Sequence, residues 1–473
     1  MHLKSITLNN FRCFEHLDIE LHPRLTVFVA DNGGGKTAIL DALAIGLSPV
    51  LRYLSSANQR LTGIGIRDTD FRLESWEGRG GKERWGVSNY AQIIMETTTG
   101  LRWDNWRPSI AGKEPPHKVG ESLLADYLVR ISDSFKTATP ALMPVFAYFG
   151  ASRGHIEIPE RLRSTRENYA HPTSALVGAL NSLSDFREML KWFDIEEASE
   201  LRANKGAGED YSPSPALEAV RATLSALLGG VYQNPHFNRE RKFVVEPVGG
   251  GALLQVSQLS QGYQSMLALG MDFARRLALG NPHLDWIPHF QPAMTRSAMD
   301  EVIADGFPEN ADLHRVAPMN APAIMLVDEI DQHLHPSWQQ RVLGDLMAAF
   351  PNTQFIVTTH SPQVLTTARK ESIRVVEWEN GQAFARMPAY ETYGQESRTT
   401  LEDVFGTLSR PPLDITQKLA DYLRQIENGH DESAAARQFR DELEQTLGAG
   451  DSQLQLADML IARNQARRGK NQS

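Results

Sequence analysis

Cysteine is almost missing: the chain of 473 residues has a single one, Cys13. That excludes a disulfide framework within the chain and suits a reducing compartment. The opening MHLKSITLNNFRCF lacks the basic start and apolar run of a signal peptide. No later stretch reads as long and apolar enough to cross a bilayer, so the expectation is a soluble, cytoplasmic protein without a membrane partner. Nor is there an excess of basic residues. Lys and Arg number 48 against 58 Asp and Glu, a formal net charge of −10. A general nucleic-acid coat is thereby excluded, because non-specific affinity for DNA comes largely from cations that neutralise phosphates. Any DNA contact must be local. Internal repeats and sustained heptads are also lacking, which rules out a solenoid and a long coiled-coil arm.

What remains is the composition of an ordinary globular protein, 41% hydrophobic and 22% charged, long enough for two or three lobes. Residues 3 to 8 and 17 to 30 alternate or run apolar and predict strands, with a helix from about Thr37. Alternation between Ile64 and Trp106 predicts antiparallel strands. From about Thr173 to Leu228 the spacing is helical, with Phe186, Leu190 and Phe193 on one face, and residues 204 to 215 read as a loop. Strands are predicted near Lys242 to Pro247 and Ala252 to Val256, then a helix from Gly262 onward. Residues 281 to 322 have no clear period and read as an insertion. The unbroken apolar runs in AIMLVDEI, 323 to 330, and QFIVTTHS, 354 to 361, predict buried parallel strands. Three helices are expected near 414 to 428, 432 to 447 and 452 to 467.

The stretch VADNGGGKTAILDAL, residues 29 to 43, has the parts of a phosphate-binding loop. Such a loop needs backbone N–H groups facing a concave turn, a lysine for the terminal phosphates and a hydroxyl for magnesium. Gly33, Gly35, Lys36 and Thr37 supply them. Ala30 stands where the pattern has its first glycine, which alanine can replace if φ there stays negative. Taken alone, the stretch is also compatible with a glycine-rich turn. In AIMLVDEIDQHLHP, Asp328 ends a buried strand beside Glu329. The aspartate would hold magnesium and the glutamate would polarise the attacking water; the bland alternative is a solvated strand end. A helix's distance further on, His360 ends the next strand, placed to sense a γ-phosphate or merely to cap a loop. In LSQGYQS, residues 259 to 265, Ser260 and Gly262 precede a helix and make a second anion-binding surface. Because the chain already has one phosphate loop, this surface is best explained as acting on a partner chain's nucleotide. A simple serine N-cap is the competing reading.

With these motifs in order, the chain resembles the ABC-type ATPases of the SMC and RecF group. The start resembles their opening strand pattern, in which Arg12 lies near the nucleotide. Ala30 to Thr37 resembles Walker A, LSQGYQS their signature with Tyr263 departing from the LSGGQ form, Asp328 and Glu329 Walker B with its catalytic glutamate, Asp331 the D-loop, and His360 the switch histidine. The resemblance implies an α/β fold: an ABC-type P-loop NTPase head, a mixed sheet flanked by helices, with a helical insertion and a C-terminal helical tail. It implies ATP and Mg2+ as cofactors and ATP hydrolysis as the activity. Asn32, Gly33, Gly34, Gly35, Lys36, Thr37, Ala38, Arg12, Ser260, Gly262 and Asp331 would meet the nucleotide, Thr37 and Asp328 the metal, and Glu329 and His360 would be catalytic. The lobes expected are 1 to 150 with Walker A, 151 to 241 as a mainly helical insertion, 242 to 395 with signature, Walker B and switch histidine, and a helical tail at 396 to 473 for oligomer or partner contacts.

The tail and the segment PVFAYFGASRG, 144 to 154, are similar to the ATPase subunits of Septu and retron-associated anti-phage systems. That likeness implies a head-to-head dimer or higher oligomer and a separate HNH nuclease subunit as partner, with DNA or retron nucleic acid as a further ligand. A RecF-like DNA-repair ATPase is the alternative, and an energy-coupling transporter subunit fits the opening FRCF pattern less well. Weaker features have bland readings: His333 and His335 as shapers of the D-loop turn rather than a metal site, and Arg161, Arg163, Arg166 and the terminal Arg463, Arg467, Arg468 and Lys470 as exposed basic faces.

Overall fold

The computed structural model describes residues 1–473 apart from 57–58, 78–82, 111, 138–139, 152–168, 170, 183–185, 207–209, 229, 285–317, 409, 432 and 471–473. Arg161, Arg163, Arg166 and most of the expected insertion at 281 to 322 lie outside the described residues, as do the side chains of Arg467, Arg468 and Lys470. The chain divides into two compact units, Met1–Thr400 and Leu401–Ser473.

Short, largely apolar segments become the inner strands of the first unit, because a strand covered on both faces has little solvent side on which to place polar residues. The first strands are β1 (Leu3–Phe11), β2 (Phe14–Glu20) and β3 (Leu25–Val29). After them come β4 (Leu73–Glu77), β5 (Glu83–Val87), β6 (Tyr90–Thr97), β7 (Arg102–Pro108), β8 (Val145–Phe149), β9 (Tyr232–Phe237), β10 (Phe243–Pro247) and β11 (Leu254–Gln255). The last four are β12 (Ala323–Val327), β13 (Thr353–Thr358), β14 (Ile373–Glu379) and β15 (Gln382–Arg386). The principal sheet runs β15-β14-β3-β13-β12-β8. Its strands are parallel except for the β14–β15 hairpin. Every residue of β3, β8, β12 and β13 is buried. An antiparallel sheet, β2-β1-β6-β7, and a smaller one, β11-β10-β9, complete the mixed α/β architecture, with a β4–β5 ribbon beside them.

Several local features follow from single residues. Asn380 and Gly381 have φ of 52° and 80°, the left-handed pair that a two-residue hairpin turn requires, and they join β14 to β15. The helical spacing read from 173 to 228 is interrupted: a 3-10 turn at Pro172–Leu176 is followed by helices at Phe186–Ala203 and Pro215–Leu227. Phe186, Leu190 and Phe193 do share a buried face. Contrary to the reading of the sequence, one helix, Lys36–Leu54, is long and apolar enough to cross a membrane. It is a core helix: Ile39, Leu40, Leu43, Leu47, Val50 and Leu51 are all fully buried within the first unit.

In the second unit, helices Asp414–Glu427, Ala434–Leu447 and Ser452–Lys470 pack around Leu419, Tyr422, Ile426, Ala436, Leu443, Leu454 and Ala457. Ile415, Phe439 and Leu447 close the edge of this core. The apolar stripes Ile415, Leu419, Tyr422 and Ile426 on the first of these helices and Phe439, Leu443 and Leu447 on the second are therefore covered within the unit. Lys418–Glu442 and Arg440–Asp458 ion pairs lie over the same helices.

Candidate functional site

Chain reversal after β3 builds the phosphate loop. Gly33 and Gly35 have φ of 80° and 95°, conformations that side chains with a Cβ resist. Gly34 is required for a different reason, since a Cβ there would stand 2.7 Å from the Cβ of Ala30 and 3.0 Å from the carbonyl oxygen of Asp31. Ala30 itself is buried and is not among the residues with positive φ. The alanine therefore keeps the turn intact and makes Gly34 its packing partner. Gly35 is held from the other side, where a Cβ would meet the Phe14 ring at 2.3 Å and the Cys13 Sγ at 3.2 Å.

The helix Lys36–Leu54 starts from left-handed Gly35 with no side-chain cap and no acidic residue in its first turn. Its leading N–H groups and the positive end of its dipole are thus left for an anion. Lys36 Nζ folds onto the loop, donating to the carbonyls of Ala30 at 2.8 Å and Asp31 at 3.2 Å. Burial pulls the ammonium below the ordinary lysine range, against the attraction of Asp328 and Glu329. Asn32 and Thr37 are exposed at the mouth, and Ala38 is buried behind them.

The carboxyl ends of β3, β12 and β13 lie at one edge of the sheet, the usual binding edge of open α/β folds. Thr37 Oγ1 donates to Asp328 Oδ2 at 2.9 Å, and Thr358 Oγ1 donates to Asp328 Oδ1 at 2.6 Å. Thr358 Oγ1 also accepts from the Glu329 N–H at 2.7 Å, holding Glu329 at a left-handed φ of 49°. Asp331 Oδ1 accepts from Thr359 Oγ1 at 2.5 Å and from the His360 N–H at 3.4 Å. The residues that the sequence reading takes for Walker A, Walker B, the D-loop and the switch are thereby brought together. Among the described residues no group of three or more His, Cys, Asp or Glu could hold a metal ion. Magnesium carried in by phosphates needs no such cage, since one or two carboxylates and a hydroxyl suffice. The oxygens of Thr37 and Asp328 fit that role.

Arg12 reaches the loop indirectly. Its Nη1 donates to Asp41 Oδ2 at 2.7 Å and its Nε to Asp70 Oδ1 at 2.9 Å. Asp41 Oδ1 accepts from the Tyr148 hydroxyl at 2.9 Å, and burial together with Asp41 raises that phenol above the ordinary tyrosine range, keeping it a donor.

Ser260 is the N-cap residue of helix Gln261–Gly280, yet its side chain makes no capping hydrogen bond, and no acidic residue occupies the first turn. Ser214, Ser361 and Ser433 stand at the same position of other helices, and each accepts from a backbone N–H. The cap reading of Ser260 therefore fails on geometry. Gly262 approaches its own D-loop so closely that a Cβ would lie 2.9 Å from the His333 carbonyl oxygen. His335 caps the short helix Pro336–Gln339 through Ser337, and His333 takes a left-handed φ of 62° in the turn before it.

Reading the sequence missed Thr358 and Thr359, although VTTHS displays both, and it missed Tyr148 and Gln339, for which only the fold supplies a signal.

Two family models match, an AAA domain over residues 5–216 and an AAA domain associated in its description with AbiEii toxins of type IV toxin–antitoxin systems over residues 151–366. The chain is 28% identical to the Retron Ec83 probable ATPase of Escherichia coli, over 96% of this chain and 85% of that one. It is 24% identical to the Retron Vc95 probable ATPase of Vibrio cholerae, over 79% and 73%. A 43-residue stretch, 9% of this chain and 6% of the other, is 54% identical to the Septu protein PtuA of Bacillus mycoides. A solved SMC head domain from Thermotoga maritima aligns over 82% of this chain and 100% of its own length, at 16% identity and a TM-score of 0.36. The parallel sheet, the phosphate loop held to Asp328 and the retron matches together mark the chain as an ATPase similar to the retron probable ATPases and, over a short stretch, to a Septu protein.

Proposed function

We propose that the protein is the ATP-binding and hydrolysing subunit of a bacterial anti-phage defence complex, in which two heads close around nucleotide and regulate a nuclease supplied by a separate HNH-type chain. The observation that carries this reading is the near full-length similarity to a retron ATPase, 96% of the chain, on a site whose loop, acids and switch residues are hydrogen-bonded together.

In this reading the N–H groups of Gly33, Gly35, Lys36, Thr37 and Ala38 cradle phosphate oxygens. Lys36 leaves the carbonyls of Ala30 and Asp31, which are weaker partners than an anion. Thr37 and Asp328 would hold magnesium, which when bound neutralises phosphate charge. Glu329 takes a proton from the attacking water, and the Thr358 hydroxyl fixes the backbone from which that carboxylate projects. His360 stands exposed at the end of β13, where it meets the terminal phosphate. The uncapped hydroxyl of Ser260 and the open first turn behind it take the phosphate of the other head's nucleotide.

The test is co-expression with the product of an adjacent HNH-encoding gene. The complex should co-purify, and its nuclease activity should differ between the parent and the Glu329→Gln variant, which binds ATP but turns it over slowly. A neighbourhood of repair genes, or a nuclease indifferent to the state of this chain, overturns the reading in favour of a RecF-like role.

A further inference from the structure

The residue by which the signature departs from LSGGQ has a specific seat. The ring of Tyr263 packs edge-on against Trp338, with centroids 4.6 Å apart and planes at 78°, and against Tyr232 at 5.1 Å and 84°. These are favoured geometries for aromatic pairs. Trp338 belongs to the four-residue helix Pro336–Gln339 that follows the D-loop, and Arg341 lies over its ring at 5.3 Å. One residue earlier on the signature helix, Gly262 allows close backbone approach to His333. Signature and D-loop of the same head are therefore joined at two points.

The next residue carries the link onward. Gln339 Nε2 donates to the Leu334 carbonyl at 2.9 Å, and its Oε1 accepts from Ser361 Oγ at 2.7 Å. Ser361 adjoins His360, and its N–H donates to Thr359 Oγ1 at 3.0 Å. Thr359 in turn is bonded to Asp331. The segment bearing the switch histidine is thus tied to the element that seats Tyr263.

We propose that Tyr263 and Gln339 are positioning residues that couple the two nucleotide sites of a dimer: phosphate held at Ser260 for one site shifts the signature helix, and through Trp338 and Gln339 this sets His360 at the other. The inference rests on the composite-site reading above. It assigns no chemistry to Tyr263, whose ring is the working part.

Steady-state ATP hydrolysis by the full-length protein tests it. The parent should show positive cooperativity in ATP. Tyr263→Ala and Gln339→Ala should each lower kcat by about 3- to 30-fold and abolish the cooperativity, with KM and ATP-dependent dimerisation unchanged. Tyr263→Phe, which keeps the ring, should behave as the parent, and the double Ala variant should be no worse than the poorer single one. Trp338→Ala reads the same link if Tyr263→Ala does not fold. Parental kcat and cooperativity in Gln339→Ala, additive losses in the double variant, or a non-cooperative parent overturns the proposal. Ser260→Arg separates the two levels: if it hydrolyses ATP like the parent, the composite site itself is wrong. If it is inactive while Tyr263→Ala is parental, only the coupling is wrong.

Discussion

Thr37 and Asp328 are 291 positions apart in the chain, and a 2.9 Å hydrogen bond joins them. It closes the gap between the end of β3 and the end of β12, across the intervening β13. The same carboxylate takes a second hydroxyl from β13, that of Thr358, so one acid registers three strands. Asp328→Ala should therefore lose metal-dependent nucleotide binding and also loosen the strand ends, seen as faster amide exchange at Thr358 and Glu329. Asp328→Asn keeps the shape and part of the hydrogen bonding, and should lose only the first. Equal exchange in both variants would show that the carboxylate has no structural share.

Lys36→Ala removes the loop's mobile cation. A charge-assisted hydrogen bond contributes about 1.5–3 kcal/mol, so ATP affinity should fall by at least about 10-fold. Because burial holds the free ammonium below the ordinary lysine range, raising the pH should strip its proton earlier than from an exposed lysine. Phosphate favours the charged form, so ATP binding at alkaline pH should take up protons. Calorimetry in buffers of different ionisation enthalpy measures that uptake, which should vanish in Lys36→Ala. Unchanged affinity in the variant would undo the site.

Glu329→Gln preserves the backbone N–H bonded to Thr358 and the neighbouring Asp328. Nucleotide affinity should persist while kcat falls by about 100- to 10,000-fold, the range for a lost general base. A loss of affinity equal to the loss of kcat would instead place Glu329 among the binding groups.

Ala30 and Gly34 form a packing pair. Gly34→Ala should weaken ATP binding and destabilise the fold by about 1–3 kcal/mol, the usual cost of overpacking. Ala30→Gly in that background removes the 2.7 Å methyl contact but leaves the 3.0 Å approach to the Asp31 carbonyl, so the rescue should be partial. Thermal melts with and without ATP measure both effects, and no rescue at all would place the whole clash on the backbone.

Chain order made much of the site legible. The motif residues stand at strand ends, and buried parallel strands announce themselves as unbroken apolar runs such as AIMLV. The β14–β15 hairpin is equally legible in Asn380–Gly381, flanked by alternating residues. Tyr148, Gln339 and Trp338 were not legible. Each is a common residue type whose role depends on a partner more than 20 residues away, Asp41, Ser361 and Tyr263 respectively. The amphipathic stripes in the tail are legible as faces that must be covered, and the structure covers them within the unit, yet periodicity says only that a face is covered. It does not say by what.

Ser260→Arg and Lys36→Ala should complement each other. In a dimer with composite sites, each variant alone has no intact site. A mixed dimer pairs the Ser260→Arg chain's loop with the Lys36→Ala chain's signature, restoring one. Mixing two inactive proteins should thus recover hydrolysis, to no more than half of the parental rate per dimer. Absence of recovery, with mixed dimers demonstrated by differential tags, would remove the in trans role of Ser260.

The C-terminal unit gives the last prediction, and it reverses what the amphipathic stripes suggest by themselves. Were the stripes a docking surface, Leu419→Asp with Ile426→Asp would leave a folded chain that merely loses its partner. Instead Leu419 is 2% exposed and Ile426 fully buried, in a core shared with Leu443, Leu454 and Ala457. Two carboxylates placed there would have no partner, and burial of unpaired charge is costly enough to unfold a small helical unit. The double variant should therefore make residues 401–473 sensitive to limited proteolysis and lose helical signal in proportion. ATP binding should survive, because Lys36, Thr37, Asp328, Glu329 and His360 all lie in Met1–Thr400. A protease-resistant variant would mean that the stripes are not the core, and loss of nucleotide binding would mean that the first unit does not hold its site alone. The outer face of the unit behaves differently, since Met459 is 64% and Leu456 40% exposed. Met459→Asp should accordingly leave proteolysis and ATP binding unchanged.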